Sequence, residues 1–205
     1  FHAETGKLLS RRYHKFFNVN ELDETDSDEI DKIIQTPHVI AEKLDGSFVA
    51  PFVSFGKIRF GGKTGVDKKH CKAAEALVAS KSKEDNGPMY MEFAQYCLDS
   101  GFTPIFELCL KERKIVVEYK ESSLILTAIR HMRTGAYIVY EDMKEEAANF
   151  RIPVAPAERD DSKTTAELFA KIKPRTDIEG VALTFDDGRI FKVKTLWFTS
   201  HTGNS

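Results

Sequence analysis

The sequence predicts an α+β fold with largely antiparallel sheets, in which helices are set among the strands. Short apolar segments separated mostly by turns predict the strands, and apolar residues at helical spacing predict the helices. The clearest strand pair is a hairpin in which Gly180–Phe185 pairs with Ile190–Lys194 across Asp186-Asp187-Gly188, whose glycine tolerates a positive φ. A chain of 205 residues is long enough to fill one core of this kind.

Helices are predicted where apolar side chains recur every three or four residues, or where acidic residues begin a segment that a proline closes. These helices cover residues 26–35, 68–80, 89–98, 141–149 and 165–172. Strands are predicted in short apolar segments at 7–17, 48–52, 57–60, 103–110, 115–118, 123–130 and 136–139. Ser54-Phe55-Gly56 forms the expected turn between the second and third of these strands.

Composition and charge narrow the class of protein. Hydrophobic residues make up 41% of the chain and charged residues 30%, which is typical of a globular protein. The net charge of −2 argues against an indiscriminate nucleic-acid binder, but a local basic groove is compatible with it because acidic residues gather at 21–29. No apolar run approaches the roughly 20 residues of a membrane helix. The three cysteines lack metal-ligand spacing and Phe1-His2-Ala3-Glu4 is no signal peptide, so we expect an intracellular protein in a reducing compartment.

The segment Lys43-Leu44-Asp45-Gly46-Ser47 follows the apolar Val39-Ile40-Ala41 and carries the residue types of a nucleophile site. A lysine at a strand end can be held in place and shielded from water, and burial and neighbouring cations favour the neutral amine that attacks. Gly46 permits a tight turn and leaves room for a phosphate or nucleoside, and Asp45 can organise a divalent ion. Alone the pentapeptide is a weak signal, since Asp-Gly is a common turn.

Two carboxylates and two lysines follow later in the chain. Glu107 and Glu179 each stand inside an apolar strand segment, where an acidic side chain on the apolar face is costly unless it has a partner. In Phe191-Lys192-Val193-Lys194, the period-two alternation of a strand puts Lys192 and Lys194 on one face. Each feature also has a purely structural interpretation. Glu107 could be a surface residue of an edge strand, and Glu179 could belong to a solvated turn. Lys192 and Lys194 could form the solvent-exposed face of a hairpin.

As a set, these residues suit phosphoryl transfer from a nucleotide. Carboxylates can hold hydrated Mg²⁺, which prefers oxygen ligands and keeps several waters. Paired lysines can neutralise charge on an α-phosphate as it is attacked. The reaction depends mostly on positioning and electrostatics, and the set supplies both.

The same segments, in the same order, resemble motifs I, III, IV and V of the covalent nucleotidyltransferases, the superfamily of DNA ligases, RNA ligases and mRNA capping enzymes. The four motifs are Lys43-Leu44-Asp45-Gly46-Ser47, Phe106-Glu107, Glu179-Gly180 and Lys192-Val193-Lys194. Within the superfamily the chain is most similar to the ATP-dependent RNA ligases of the phage tRNA-repair type, the RNA ligase 1 family. Further segments that resemble this family are Lys15-Phe16-Phe17-Asn18, Phe60-Gly61-Gly62-Lys63-Thr64-Gly65, residues 126–131 with Ile129 and Arg130, and Lys194-Thr195-Leu196-Trp197-Phe198.

The resemblance implies the nucleotidyltransferase fold, an ATP-grasp-like ligase core, in one adenylyltransferase domain over residues 1–205 that acts as a monomer. It implies that Lys43 takes AMP from ATP as a phosphoramidate and releases pyrophosphate. The AMP then passes to an RNA 5′-phosphate, and a 3′-hydroxyl attacks that end and expels AMP. The implied cofactors are ATP and Mg²⁺ (or Mn²⁺). The implied substrate is RNA with 5′-phosphate and 3′-hydroxyl ends, in RNA or tRNA repair.

The resemblance also gives each site residue an expected role. The expected catalytic residues are Lys43, Asp45, Glu107, Glu179, Lys192 and Lys194. The expected ATP-binding residues are Lys15, Lys43, Gly46, Lys63, Glu107, Val181, Lys192 and Lys194. Among them, Lys192 and its helper Lys194 contact the α-phosphate, Lys15 and Lys63 reach the β- and γ-phosphates, and Val181 lines the adenine pocket. Asp45, Glu107 and Glu179 orient metal-bound water or ribose hydroxyls.

The sequence departs from the family in several places. The Arg-Gly that usually precedes the segment beginning at Phe1 is not part of this chain, and Phe198 stands where an aromatic with a hydroxyl often sits. Little follows Trp197, where these ligases commonly carry a domain that selects the RNA. We therefore expect a catalytic core whose flanking domains lie outside this chain. Two alternatives stay open: a DNA ligase or GTP-dependent mRNA capping enzyme of the same superfamily, or a non-catalytic nucleotide- or RNA-binding module.

Overall fold

The computed structural model describes residues 10–15, 18, 27–63, 69–111, 117 and 119–202. In chain order the elements are α1 (Ser27–Ile33), β1 (His38–Lys43), β2 (Ser47–Ser54), β3 (Lys57–Gly61), α2 (Lys69–Lys81), α3 (Tyr90–Asp99), β4 (Phe102–Cys109), β5 (Ser123–His131), α4 (Tyr140–Asn149), β6 (Ala157–Arg159), α5 (Thr165–Ile172), β7 (Gly180–Phe185), β8 (Ile190–Lys194) and α6 (Leu196–Thr202). They fall into two compact units. Motif I crosses the boundary, since Asp45 belongs to the second unit and Gly46 to the first.

The first unit has its described residues at 10–13, 46–63, 69–111 and 119–154. Its antiparallel sheet has the order β3-β2-β4-β5, and α2, α3 and α4 belong to the same unit. Helix α2 buries Cys71, Ala74 and Val78, a spacing that places them on one helical face. Ala74 and Val78 share a hydrophobic core with residues of α3 and of the sheet, among them Phe93 and Phe106.

The second unit has its described residues at 14–15, 18, 27–45, 117 and 155–202. Its sheet is also antiparallel, with the order β6-β1-β7-β8, so β1 lies between β6 and β7. One face of this sheet packs against α1 and α5 through Ile30, Ile34, Leu168 and Ile172, all fully buried. Thr164 caps α5 because its side chain accepts a hydrogen bond from the Glu167 amide.

The α+β fold with antiparallel sheets is confirmed, and most elements lie within two residues of their predicted bounds. The predicted strand at 136–139 is wrong. Only Tyr137 forms a bridge, to Arg130, and Val139 is already the N-cap of α4. Residues 10–15 form no strand, and most of the predicted strands at 7–17 and 115–118 lies outside the described residues. No helix among the residues described is long and apolar enough to cross a membrane.

Candidate active site

A cross-strand row in the second unit places two of the predicted lysines on one face of the sheet. Lys43 at the end of β1 lies opposite Gly180 of β7, which lies opposite Lys194 of β8. Residues directly opposite each other in antiparallel strands point to the same side. Lys43 and Lys194 therefore share a face, and the position between them has no side chain.

Gly180 is required by the close approach of β8. A Cβ at this position would overlap the carbonyl oxygen of Val193 and lie 2.9 Å from Cα of Lys194. Neither atom can move without opening the β7–β8 pair, because both belong to the backbone. The motif IV glycine is thus fixed by packing as well as by the space it leaves between the lysines.

Glu179, the residue before Gly180, pairs directly with the predicted nucleophile. Nζ of Lys43 donates a hydrogen bond to Oε1 of Glu179 at 2.5 Å. The side chains are only 26% and 12% exposed, respectively. A charge-assisted bond between two groups largely removed from water is stronger and more directional than a surface ion pair. The pair therefore holds the Lys43 amine in one place.

Thr195 fixes the backbone that carries Glu179. Its amide donates to the Glu179 carbonyl at 3.0 Å, and its hydroxyl donates to the Ile178 carbonyl at 2.9 Å. The same hydroxyl accepts from the Phe198 amide at 3.1 Å and so caps α6. One buried threonine thereby joins the start of β7 to the helix that follows β8.

A second row on the same face includes Lys192. Ala41 lies opposite Ala182, and Ala182 lies opposite Lys192, two residues along each strand from the first row. Lys192 also forms a parallel bridge with Asn18, and the neighbouring Lys194 places Nζ 5.9 Å from the centre of the Phe198 ring. The face therefore carries three lysines around a floor of alanine and glycine. This agrees with the predicted placement of Lys192 and Lys194 on one side of the hairpin.

Val181 lies on the opposite face, contrary to its expected place in an adenine pocket. It is fully buried in the core of the second unit, together with Ile40 and Leu183. Strand alternation explains the difference, because Val181 is one residue from Gly180 and Ala182 and must point away from them. The β7 side chain on the face of Lys43 is Ala182. Glu42, opposite Val181, is half-buried, and this burial raises its pKa against the opposing effect of Arg175.

Asp45 of motif I is buried and engaged with the backbone. Its Oδ2 accepts a hydrogen bond from the Val117 amide at 3.0 Å, and the side chain is 9% exposed. A carboxylate held in this way connects the end of motif I to a segment more than 70 residues away in sequence. Asp45 therefore has a structural role in this chain that does not depend on a metal ion.

In the first unit, motif III lies beside Gly46. Glu107 on β4 is opposite Phe48 of β2 and Ile125 of β5. A Cβ on Gly46 would overlap the Leu108 carbonyl oxygen and lie 3.2 Å from Cγ of Glu107. Motif I therefore needs glycine at this position for close packing against motif III. The strand carrying Glu107 is internal to the sheet, so the edge-strand interpretation is wrong.

The two lysines expected to reach the outer phosphates are both exposed. Lys63 follows β3, and its carbonyl accepts a hydrogen bond from Nη1 of Arg12 at 2.8 Å. Arg12 is held in turn by Arg130, whose Nη1 donates to the Arg12 carbonyl at 2.5 Å. Lys15 belongs to the second unit. Phe16, Phe17, Thr64 and Gly65 of the two surrounding segments lie outside the described residues.

Comparison of the sequence with known protein families identifies the family of the chain. The RNA ligase family matches residues 1–198, nearly the whole chain. The chain belongs to the RNA ligase family. The resemblance predicted from the four motifs is thus confirmed.

Two curated relatives extend this result. A putative RNA ligase of Thermovibrio ammonificans is 31% identical over 204 residues, covering 97% of this chain and 50% of the relative. RNA ligase 1 of bacteriophage TS2126 is 25% identical over 142 residues, covering 68% of this chain and 35% of the phage protein. The chain therefore spans half or less of the length of these curated relatives.

Solved RNA ligase structures share the fold. The Naegleria gruberi RNA ligase with pyrophosphate has a TM-score of 0.75 at 14% identity, covering 95% of this chain and 59% of that one. A variant of the same enzyme with ATP and manganese has a TM-score of 0.73 at 15% identity, covering 92% and 58%. At such identities the likeness concerns the fold alone, and it confirms the nucleotidyltransferase fold predicted for this RNA ligase family member.

Sequence reasoning gave no role to Thr195 and Arg12, which hold the backbone beside Glu179 and at Lys63. Both act through backbone carbonyls of residues distant in sequence, Ile178 and Lys63, and no residue pattern announces such bonds. A partial signal existed for Thr195, because a threonine directly before a short helix is a common N-cap.

Asp45, Glu107 and Glu179 carry the oxygen ligands that a hydrated divalent ion prefers. The described part of the chain contains no group of three or more His, Cys, Asp or Glu side chains arranged to hold a metal. Mg²⁺ usually binds one or two carboxylates, keeps several waters and shares substrate phosphates. Such binding needs no preformed cluster, so Asp45, Glu107 and Glu179 keep the water-mediated roles predicted for them as a proposal.

Proposed function

We propose that this chain is the nucleotidyltransferase core of an ATP-dependent RNA ligase and that residues 1–205 work as one adenylyltransferase domain. The observation that carries the proposal is the Lys43 amine, bonded to Glu179 at 2.5 Å on the sheet face that also carries Lys192 and Lys194. The names of the two curated relatives and the ATP and AMP held by the Naegleria structures support the choice of reaction.

In the proposed first step, Lys43 attacks the α-phosphorus of ATP. A nitrogen–phosphorus bond forms and the bond from that phosphorus to the bridging oxygen of pyrophosphate breaks. The ammonium must lose a proton before attack, and the Glu179 carboxylate is the acceptor already hydrogen-bonded to it. Lys192 and Lys194 supply positive charge on the same face, where negative charge spreads over the phosphoryl oxygens.

The remaining roles follow the family pattern. A bound Mg²⁺ or Mn²⁺ supplies further neutralisation of phosphate charge, and Asp45, Glu107 and Glu179 are proposed to hold its water ligands. Lys15 and Lys63 are proposed to contact the outer phosphates. Ala182, on the same sheet face as Lys43, takes the place expected for Val181 beside the nucleotide.

In the later steps, AMP passes from Lys43 to an RNA 5′-phosphate, and an RNA 3′-hydroxyl displaces it. The second transfer forms a phosphodiester and breaks the phosphoanhydride to AMP, so no further energy source is needed. We propose that the substrate is RNA with 5′-phosphate and 3′-hydroxyl ends, in RNA or tRNA repair, and that the protein acts as an intracellular monomer.

Self-adenylylation tests the first step directly. Wild type incubated with α-³²P ATP and Mg²⁺ should acquire label that persists through a denaturing gel and is released by hot acid but not by alkali, as a phosphoramidate is. Lys43→Ala should acquire none. Lys32→Ala is the matched control, because Lys32 is an exposed lysine of α1 whose ion pair in the described part of the chain is with Glu29 of the same helix. Equal labelling of Lys43→Ala and wild type would contradict the proposal.

Substrate comparisons separate the alternatives. Labelling from GTP in preference to ATP would indicate a capping enzyme. Sealing of nicked DNA in preference to single-stranded or broken-loop RNA would indicate a DNA ligase. A wild type that binds nucleotide but forms no covalent adduct would indicate a non-catalytic module.

A further inference from the structure

The tip of the β2–β3 hairpin carries a residue that its turn does not favour. Ser54 and Lys57 pair at the end of the strands, with Phe55 and Gly56 as the two central residues. Both have positive φ, 48° and 73°. A two-residue loop with left-handed conformation at both positions is the type I′ geometry, for which Asn-Gly or Asp-Gly is preferred. Phenylalanine is bulky, and this backbone conformation strains it.

Packing does not account for Phe55 either. Its side chain is fully exposed, at 103% of the reference area, the largest value among the exposed apolar residues described. An exposed ring gains no burial, and the neighbouring Val53 is itself partly exposed. The residue thus adds strain to the turn and apolar surface to the solvent. A strained backbone conformation at a residue whose side chain makes no packing contribution is a reason to look for a function of that residue.

The charge of the hairpin indicates what this ring contacts. Residues 46–63 contain Lys57, Arg59 and Lys63 and no acidic residue, although the whole chain has a net charge of −2. Arg59 is bound through two nitrogens to Glu75, whereas Lys57 is exposed two residues after Phe55, on the other side of Gly56. An exposed aromatic and an exposed lysine on the same hairpin tip match the chemistry of single-stranded nucleic acid, whose bases stack on rings and whose phosphates contact cations.

We propose that Phe55 stacks on a base of the single-stranded RNA substrate while Lys57 contacts an adjacent phosphate. The proposal rests on the proposed RNA ligase function and adds a substrate contact in the first unit. Stacking of this kind tolerates any sequence, because every base presents a flat face. The hairpin tip should therefore bind single-stranded RNA ends of any sequence.

Replacement of Phe55 by asparagine separates function from folding. Phe55→Asn supplies the side chain that the turn prefers, so its thermal midpoint should equal or exceed that of wild type. Its affinity for a 5′-phosphorylated single-stranded RNA, measured by fluorescence anisotropy at fixed salt, should fall about tenfold. Phe55→Trp should retain the affinity. Met91→Gln is the control, since Met91 is a partly exposed apolar residue of the same unit.

An abasic oligonucleotide isolates the stacking contribution. On a ribose-phosphate strand without bases, wild type and Phe55→Asn should bind equally, because only the phosphate contacts remain. A photocrosslink from an RNA containing 5-iodouridine should map to the tryptic peptide 44–57 in wild type and weaken in Phe55→Asn.

Several results would overturn the proposal. They are unchanged RNA affinity in Phe55→Asn, an equal loss on the abasic strand, no RNA binding by wild type, or a wild-type self-association that Phe55→Asn abolishes. The last result would identify the tip as a protein contact. Lysyl-AMP formation without RNA should be the same in wild type and Phe55→Asn. Failure of the proposed function would instead appear as no lysyl-AMP in wild type.

Discussion

Replacement of Thr195 by valine removes a buried hydroxyl that joins the start of β7 to α6. Thr195 is 0% exposed, so water cannot replace the hydrogen bonds that the hydroxyl makes with Ile178 and Phe198. Valine has nearly the same shape, and the bond from the residue 195 amide to the Glu179 carbonyl is retained. The variant therefore tests the hydroxyl alone.

The hydroxyl donates to the carbonyls of Ile178 and Glu179, at 2.9 and 3.3 Å, and accepts from the Phe198 amide at 3.1 Å. The expected loss follows from the two shorter bonds. Removing a threonine N-cap costs about 1 kcal/mol. Leaving the Ile178 carbonyl without its hydroxyl donor costs about 1 kcal/mol more. The free energy of unfolding should fall by about 2 kcal/mol, which lowers the melting temperature of a chain of this size by about 4–8 °C. Urea unfolding measures this change in free energy, and the dependence of the free energy on urea concentration should be the same in both proteins.

The functional effect should distinguish positioning from packing. A looser Glu179 backbone misplaces the carboxylate bonded to Lys43, so self-adenylylation should slow about tenfold. Thr195→Ser keeps the hydroxyl and loses one buried methyl group, which should lower the free energy of unfolding by about 1 kcal/mol. This variant should become adenylylated at close to the wild-type rate. The reasoning is refuted if the valine and serine variants slow labelling equally, or if valine changes the unfolding free energy by less than about 0.5 kcal/mol.

Two further changes test other parts of the second unit. Gly180→Ala should destabilise the protein by about 2 kcal/mol in urea unfolding and abolish most labelling, because the added Cβ overlaps the Val193 carbonyl and parts the strands beside Lys43, the proposed nucleophile; wild-type stability would contradict this packing. Desolvation alone would raise the pKa of the Asp160 carboxyl, but hydrogen bonds with His38, Lys171 and Ser162 together outweigh it and hold the pKa below its usual range. Its contribution to stability is therefore present above pH 4 or so and lost as the pH falls through the lowered pKa. Asp160→Asn should be less stable at pH 7 and flatter in its acid unfolding profile, and identical profiles would exclude this role.

The sequence predicted elements whose signals are local. The hairpin of β7 and β8 has the predicted bounds because its alternation and its Asp-Asp-Gly turn lie within 15 residues. The segment 136–139 has similar apolar residues, yet it leads into α4 instead of adding a strand. The three residues of β6 are too few to show a period, and they become a strand only through their pairing with β1.

The positions of the predicted site residues could also be predicted where the signal was local and not where it depended on long-range pairing. Alternation within one strand sufficed for Lys192 and Lys194, and the same rule applied from Gly180 would have put Val181 on the core face. The contact between Lys43 and Glu179 joins residues 136 positions apart, and their order in the chain gave no distance between them. Family resemblance assigned both residues to one set of motifs but did not predict their contact, which follows from the register that pairs Lys43 with Gly180.

That register also explains why glycine follows Glu179. Lys43 and Lys194 flank residue 180 on one face, and any side chain at that position would lie between the two amines as well as overlap β8. The preceding residue lies just outside β7, where its carboxylate can reach the end of β1 instead of the core. An acidic residue and then a glycine at the start of this strand thus meet two separate demands, a partner for the lysine and open space beside it. If the reaction proceeds as proposed, that space is where a phosphate between two cations would be held, and a residue larger than glycine would remove the site even in a sheet that tolerated it.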